Sequence, residues 1–278
     1  MSGIALVIPG ADFSNSPLGQ VTFSKTIAER AAEVVEAYAT TIDSHTYDDE
    51  LTILVDTLMR LGVWDTVNVF PMLGDTITSK IKNLNQNSSV TDVVYPNTAT
   101  LDQTNNELKF VQTLNPSVVG EVKRIMVKGI KKVFSFVDCN RTVLPPQKST
   151  AIGNNAITIG TVSGNVKFKL PNSVKTNEIL IPSVLTERKT IGCYVDGDNL
   201  TFKGYINGTN VVSESINDSS IDYYIANAIG ILGDGSETEG LYEGYIRLYA
   251  FGTIEDATKA KATIDALQEF LDVVKPRS

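Results

Sequence analysis

Side chains that could do chemistry are scarce in this 278-residue chain. There is one histidine, His45, and there are two cysteines, Cys139 and Cys193. Zinc needs a cluster of such ligands, and these three are scattered. A single imidazole leaves little for acid–base work near neutral pH. The lone cysteines sit in apolar, strand-like settings and read as small core residues, with no disulfide framework between them. Glycoside hydrolysis needs two carboxylates facing one sugar bond, which on a strand means positions i and i+2. The compact Glu-x-Asp-x-x-Glu arrangement is absent. The nearest alternation, Glu237-Thr238-Glu239, lies in a Gly- and Ser-rich run from Gly233 to Gly240 that reads as a solvated loop. Gly-x-Ser-x-Gly, His-Glu-x-x-His, Gly-x-x-x-x-Gly-Lys and Gly-x-Gly-x-x-Gly are also missing. The expectation is a protein that is not an enzyme and carries no organic cofactor.

Oxygen ligands are more plentiful. Asp196, Asp198 and Asp234 stand in Gly-rich turns, where a calcium ion could find carboxylates, although acidic residues there also favour the turn itself. Lys123, Arg124, Lys128, Lys131 and Lys132 alternate with Ile125, Val127, Ile130 and Val133. That pattern reads as the solvated face of a strand, with a patch for an acidic partner as the rival. Tyr223, Tyr224, Tyr242, Tyr245 and Tyr249 could give sugars aromatic platforms. Tyr245 and Tyr249 share one strand parity and are expected in or near the core.

Composition narrows the class. Hydrophobic residues make up 42% of the chain and charged residues 20%, enough apolar mass for a real core. The net charge of -8 argues against nucleic acid, whose binding needs a basic face. No apolar run reaches membrane-spanning length, and the first ten residues lack the basic start of a secretory leader and break at Pro9-Gly10. A soluble protein made in a cytoplasm is expected.

Four zones would position these groups. Residues 1–23 carry Pro9, Gly10, Pro17 and Gly19 and no helical period, which predicts an extended arm. Its apolar residues Ile4, Leu6, Ile8, Phe13, Leu18, Val21 and Phe23 are the candidate partner contacts. Residues 24–92 predict a helical hairpin and connector. The first helix is capped by Ser24, and the second opens at Thr46-Tyr47-Asp48-Asp49 and stops at Gly62. Residues 93–278 switch to a period of two in segments such as Lys109–Val111, Val166–Leu170, Thr190–Val195, Asn199–Val212 and Gly244–Tyr249. Asp196-Gly197 and Asn207-Gly208 suit type I′ hairpin turns. Short strands without interleaved helices predict an antiparallel β-sandwich, mainly β with helical additions. A last helix, with its box at Thr253–Asp256 and a seam from Ala257 to Val274, is expected on the sandwich edge.

Several segments look familiar. Tyr194-Val195-Asp196-Gly197, leading to Gly204-Tyr205-Ile206-Asn207-Gly208-Thr209, resembles the paired strands of concanavalin A-like, laminin G-type jelly rolls. Tyr242 to Gly252, followed by the capped helix, is similar to the closing strand and helix of phage-encoded versions. Leu58-Met59-Arg60-Leu61-Gly62-Val63-Trp64-Asp65, with Phe70-Pro71-Met72-Leu73-Gly74, resembles a helical insert in virion proteins of tailed phages of gut bacteria, of the crAss-like type. Gly10-Ala11-Asp12-Phe13-Ser14, with Leu18-Gly19-Gln20-Val21, resembles their anchoring arms. The resemblance implies a virion structural protein, a head fibre or a capsid or tail appendage. The arm would hold other virion proteins, and the jelly roll would be displayed, commonly as a homo-oligomer. Binding of host surface polysaccharide is the alternative, and depolymerisation of glycan the second.

Overall fold

The computed structural model describes residues 25–88, 90, 92, 100–104, 107–111, 132–141, 149–153, 158–162, 165–169, 178–181, 188–215 and 244–274. The expected arm contacts Ile4, Leu6, Ile8, Phe13, Leu18, Val21 and Phe23 lie outside these residues. So do Asp234, Glu237, Glu239, Tyr223, Tyr224, Tyr242 and the basic positions Lys123, Arg124, Lys128 and Lys131.

The described residues begin with helices α1 (Ile27–Ala39) and α2 (Asp48–Arg60). A 3-10 turn (Trp64–Thr66), strand β1 (Val67–Phe70) and helix α3 (Ile77–Lys80) follow. The cap of α1 is Thr26, not Ser24. Its hydroxyl takes the Glu29 N–H while Glu29 reaches back to the Thr26 N–H, a reciprocal box that fixes the first turn. No side chain caps α2, whose N-cap is Tyr47. Asp48, Asp49 and Glu50 instead set negative charge against its positive end.

Among the described residues eleven more strands follow: β2 (Thr100–Thr104), β3 (Glu107–Val111), β4 (Lys132–Arg141), β5 (Ser149–Gly153), β6 (Thr158–Val162), β7 (Asn165–Lys169) and β8 (Glu178–Ile181). The series continues with β9 (Lys189–Asp196), β10 (Thr201–Ile206), β11 (Thr209–Ser215) and β12 (Gly244–Gly252), and helix α4 (Ala257–Val273) ends it. All strand pairings among the described residues are antiparallel. One sheet runs β11-β10-β9-β4-β12-β3-β2, and β5 to β8 form a second in sequence order. β1 joins the larger sheet beside the end of β12, from Val67 opposite Gly252 to Phe70 opposite Tyr249, while β3 pairs with the start of β12.

The middle strands of the larger sheet, β4, β9 and β12, are buried on both faces. On one, Phe134, Phe136, Tyr194, Tyr205, Leu248 and Ala250 join a core with α1, α2 and α4. On the other, Val133, Val137, Ile191, Cys193, Val195, Tyr249 and Phe251 are equally enclosed, and Phe70 stacks on Phe251 with ring centroids 5.9 Å apart. Such two-sided burial makes this sheet a central layer. The protein is mainly β with helical additions, an antiparallel sandwich.

Helix α4 lies across the face over β9 rather than on the sandwich edge. Gly192 permits the approach: a Cβ there would stand 2.8 Å from Ile264 Cδ1. Its cap is Asp256, accepting from the Thr258 and Lys259 N–H groups, not Thr253. Thr253 instead exchanges hydrogen bonds with Thr66, tying the β12 exit to the β1 entry. Asn207 and Gly208 have φ of 48° and 71°, as a type I′ turn requires. The Asp196-Gly197 turn departs from that type. It is four residues long, positive φ falls on Leu200, and the Asp196 carboxylate takes the Asp198 and Asn199 N–H groups.

Candidate functional site

A β-bulge builds the site. In the β4–β12 pairing Ile246 faces Cys139 and Leu248 faces Asp138, so Arg247 is an extra residue with no partner of its own. The insertion shifts parity along β12. Tyr245, before the bulge, and Tyr249, after it, therefore fall on opposite faces, although they share one parity in the sequence. The expectation that the two tyrosines share one face fails for this reason. The bulge also sends Arg247 toward α4. Its Nη1 donates to the Val274 carbonyl at 3.1 Å, at the helix end where a cation is favourable.

Asp138 occupies the helix-side parity of Phe134 and Phe136, but it lies beyond them along β4 and is fully buried. Its Oδ2 accepts from Arg247 Nε and, at 3.2 Å, from Arg188 Nη1, just before β9. Arg188 Nη2 in turn donates to Glu107 on β3. Burial raises the Glu107 carboxyl above its usual range, and the nearby Arg188 and Arg247 charges oppose the rise. Asp138 Oδ1 is buried and has no hydrogen-bond partner. An unsatisfied buried acceptor is costly, so it marks a place where a donor belongs.

Beside this network lies an open cavity of about 460 Å³, lined by Asp138, Arg188 and Arg247 and by Thr190, Asn207, Gln268 and Asp272. Thr190 on β9 holds its other wall. Its N–H donates to Asn207 Oδ1 at 3.1 Å and its hydroxyl to Gln268 Oε1 at 2.5 Å, while Gln268 Nε2 donates to Asp272 Oδ1 at 2.9 Å. The turn, one sheet face and the C-terminal half of α4 thus meet at one polar hollow. Its volume falls in the range of pockets that hold small ligands. It offers carboxylate acceptors together with guanidinium and amide donors.

The sequence expectations fall elsewhere. The carboxylate of Asp196, one calcium candidate, is engaged by Asp198 N–H, Asn199 N–H and Asn199 Nδ2. Asp198 follows it in the same turn. Among the described residues no group of three or more His, Cys, Asp or Glu side chains is placed to hold a metal ion. Lys132 crosses to the Glu255 carbonyl at 2.9 Å. His45 is exposed and pairs with Asp48 at 2.8 Å, on the hairpin side of the molecule. Cys139 and Cys193 are buried and form no disulfide with each other, and burial pushes the Cys193 thiol well up. Local motifs missed the site because its members come from distant positions. The available signal was a charged residue at a core parity, Asp138 after Phe134 and Phe136, and Arg247 between Ile246 and Leu248.

No family model matches the sequence, and no curated protein matches it. Solved structures to which the chain shows a similarity include the CBM40 of the Ruminococcus gnavus IT-sialidase bound to α2,3-sialyllactose, at 14% identity. Its TM-score is 0.36, over 48% of this chain and 82% of that one. The binding domain of Paraclostridial mosquitocidal protein 1 has 13% identity and a TM-score of 0.44, over 73% of this chain and 52% of that one. Trypanosoma rangeli sialidase in complex with sialic acid has 8% identity and a TM-score of 0.43, over 74% of this chain and 33% of that one. At such values the β architecture rests on the strand pairing described above.

Proposed function

We propose that the protein is a glycan-binding module, with the hollow at Asp138, Arg188 and Thr190 as its binding site. The observation that carries this reading is the unpartnered Oδ1 of Asp138 in a carboxylate that lines an open polar cavity. Sugar hydroxyls both donate and accept, so they suit a wall that alternates carboxylate, guanidinium and amide groups. Rigid placement on strands and a helix keeps the ordering cost of binding low. Binding without turnover fits an Asp138 already committed to two arginines. Display on a phage particle through the N-terminal arm is compatible with this role and rests on residues 1–23, outside the described region.

The test is a glycan array that includes bacterial surface polysaccharides, read with and without calcium. Arg188→Ala should lose the signal while its far-ultraviolet circular dichroism is retained. Retained binding by Arg188→Ala, or the release of new reducing ends from a bound glycan, would contradict the reading.

A further inference from the structure

We infer that the hollow selects a neutral sugar residue presenting a vicinal pair of hydroxyls, with Asp138 Oδ1 as the acceptor that reads one of them; this rests on the glycan-binding reading and deepens it. The argument is one of charge and satisfaction. Oδ2 of Asp138 is filled by Arg188 and Arg247, and Oδ1 has no hydrogen-bond partner, so a donor brought by a ligand would satisfy it. A carboxylate or sulfate group supplies none at neutral pH; the two guanidiniums that line the hollow are already engaged by Asp138, Glu107 and the Val274 carbonyl, while Asp138 and Asp272 would repel it. An ammonium group would donate, but it would enter beside two guanidiniums that are held in place by Glu107 and by the last carbonyls of α4. A hydroxyl donates to Oδ1 without bringing charge. Its neighbour on the ring can accept from a guanidinium N–H, because guanidinium and carboxylate side by side match a diol's paired donor and acceptor.

The test is calorimetric titration of the full chain with neutral methyl hexosides of the gluco, galacto and manno series, their singly deoxygenated forms, and methyl glucuronide. At least one neutral hexoside should bind, and removing one hydroxyl of the recognised pair should weaken it about tenfold or more. Asp138→Asn should cost a similar factor. Because that change could perturb folding, Thr190→Val and Asp272→Asn serve as rim variants, each checked by thermal melting, and both should weaken binding less than Asp138→Asn. Binding of methyl glucuronide in preference to every neutral hexoside would overturn the inference and leave the glycan-binding reading standing. Equal affinity for all deoxy forms would do the same. No binding to any sugar of the panel, together with a blank glycan array, would overturn both.

Discussion

Asp138 is a core position that carries a charge, and the consequences can be measured. Truncating it leaves Arg247, itself largely enclosed, without its carboxylate. Breaking a buried pair from one side costs about 3 kcal/mol or more, so Asp138→Ala should show that loss in chemical denaturation. Asp43 makes a different prediction. Burial tends to raise its carboxyl. Hydrogen bonds from Thr76, the Asp75 N–H, Ser79 and its own N–H outweigh that and bring it from 3.8 down to about 2. A lowered folded-state value contributes stability above pH 3.8 that is lost as pH falls through about 2. Acid melts between pH 4 and 2 should therefore fall more steeply for the native chain than for Asp43→Asn. At this scale the sequence was legible for caps and turns in type but not always in position. Thr26 replaced Ser24 because the reciprocal bond needs an acid three residues on, and Glu29 provides it.

The strands were visible as a period of two, and Asn207-Gly208 marked its hairpin by backbone geometry alone. Pairing order and helix placement were not visible, because both depend on residues far apart in the chain. Two glycines carry that information. A Cβ at Gly252 would stand 2.0 Å from the Thr66 carbonyl oxygen, so only glycine lets β1 lie beside the end of β12. Gly252→Ala should destabilise the chain and raise hydrogen exchange at Val67 and Val69. Gly192→Val would drive Ile264 off β9. Overpacking of that kind costs about 1–3 kcal/mol, and the variant should melt earlier while keeping its helical circular dichroism. Because Gln268 lies one turn beyond Ile264, the same variant should weaken ligand binding without touching the cavity wall directly. The bulge at Arg247 was hidden for the same reason: nothing in Tyr245-Ile246-Arg247-Leu248-Tyr249 shows that one residue is skipped until β4 is laid beside it.

At the scale of the whole molecule, a central sheet is covered by helices on one face and enclosed on the other. The polar hollow opens where the helical cover ends. Composition predicted such a core, and the shortage of histidine and cysteine turned attention from catalysis to binding. It could not show that Glu107, Asp138, Arg188 and Arg247, drawn from four strand regions, form one ion-pair network. The most direct measurement of the central claim is a titration followed by nuclear magnetic resonance of the arginine Nε–H groups and the backbone amides, with a neutral methyl hexoside that binds by calorimetry. The account predicts that the Arg188 and Arg247 side-chain signals and the Thr190 and Asn207 amides shift together and saturate at one dissociation constant. Saturable shifts confined to other regions, with Arg188 and Arg247 unmoved, would contradict it.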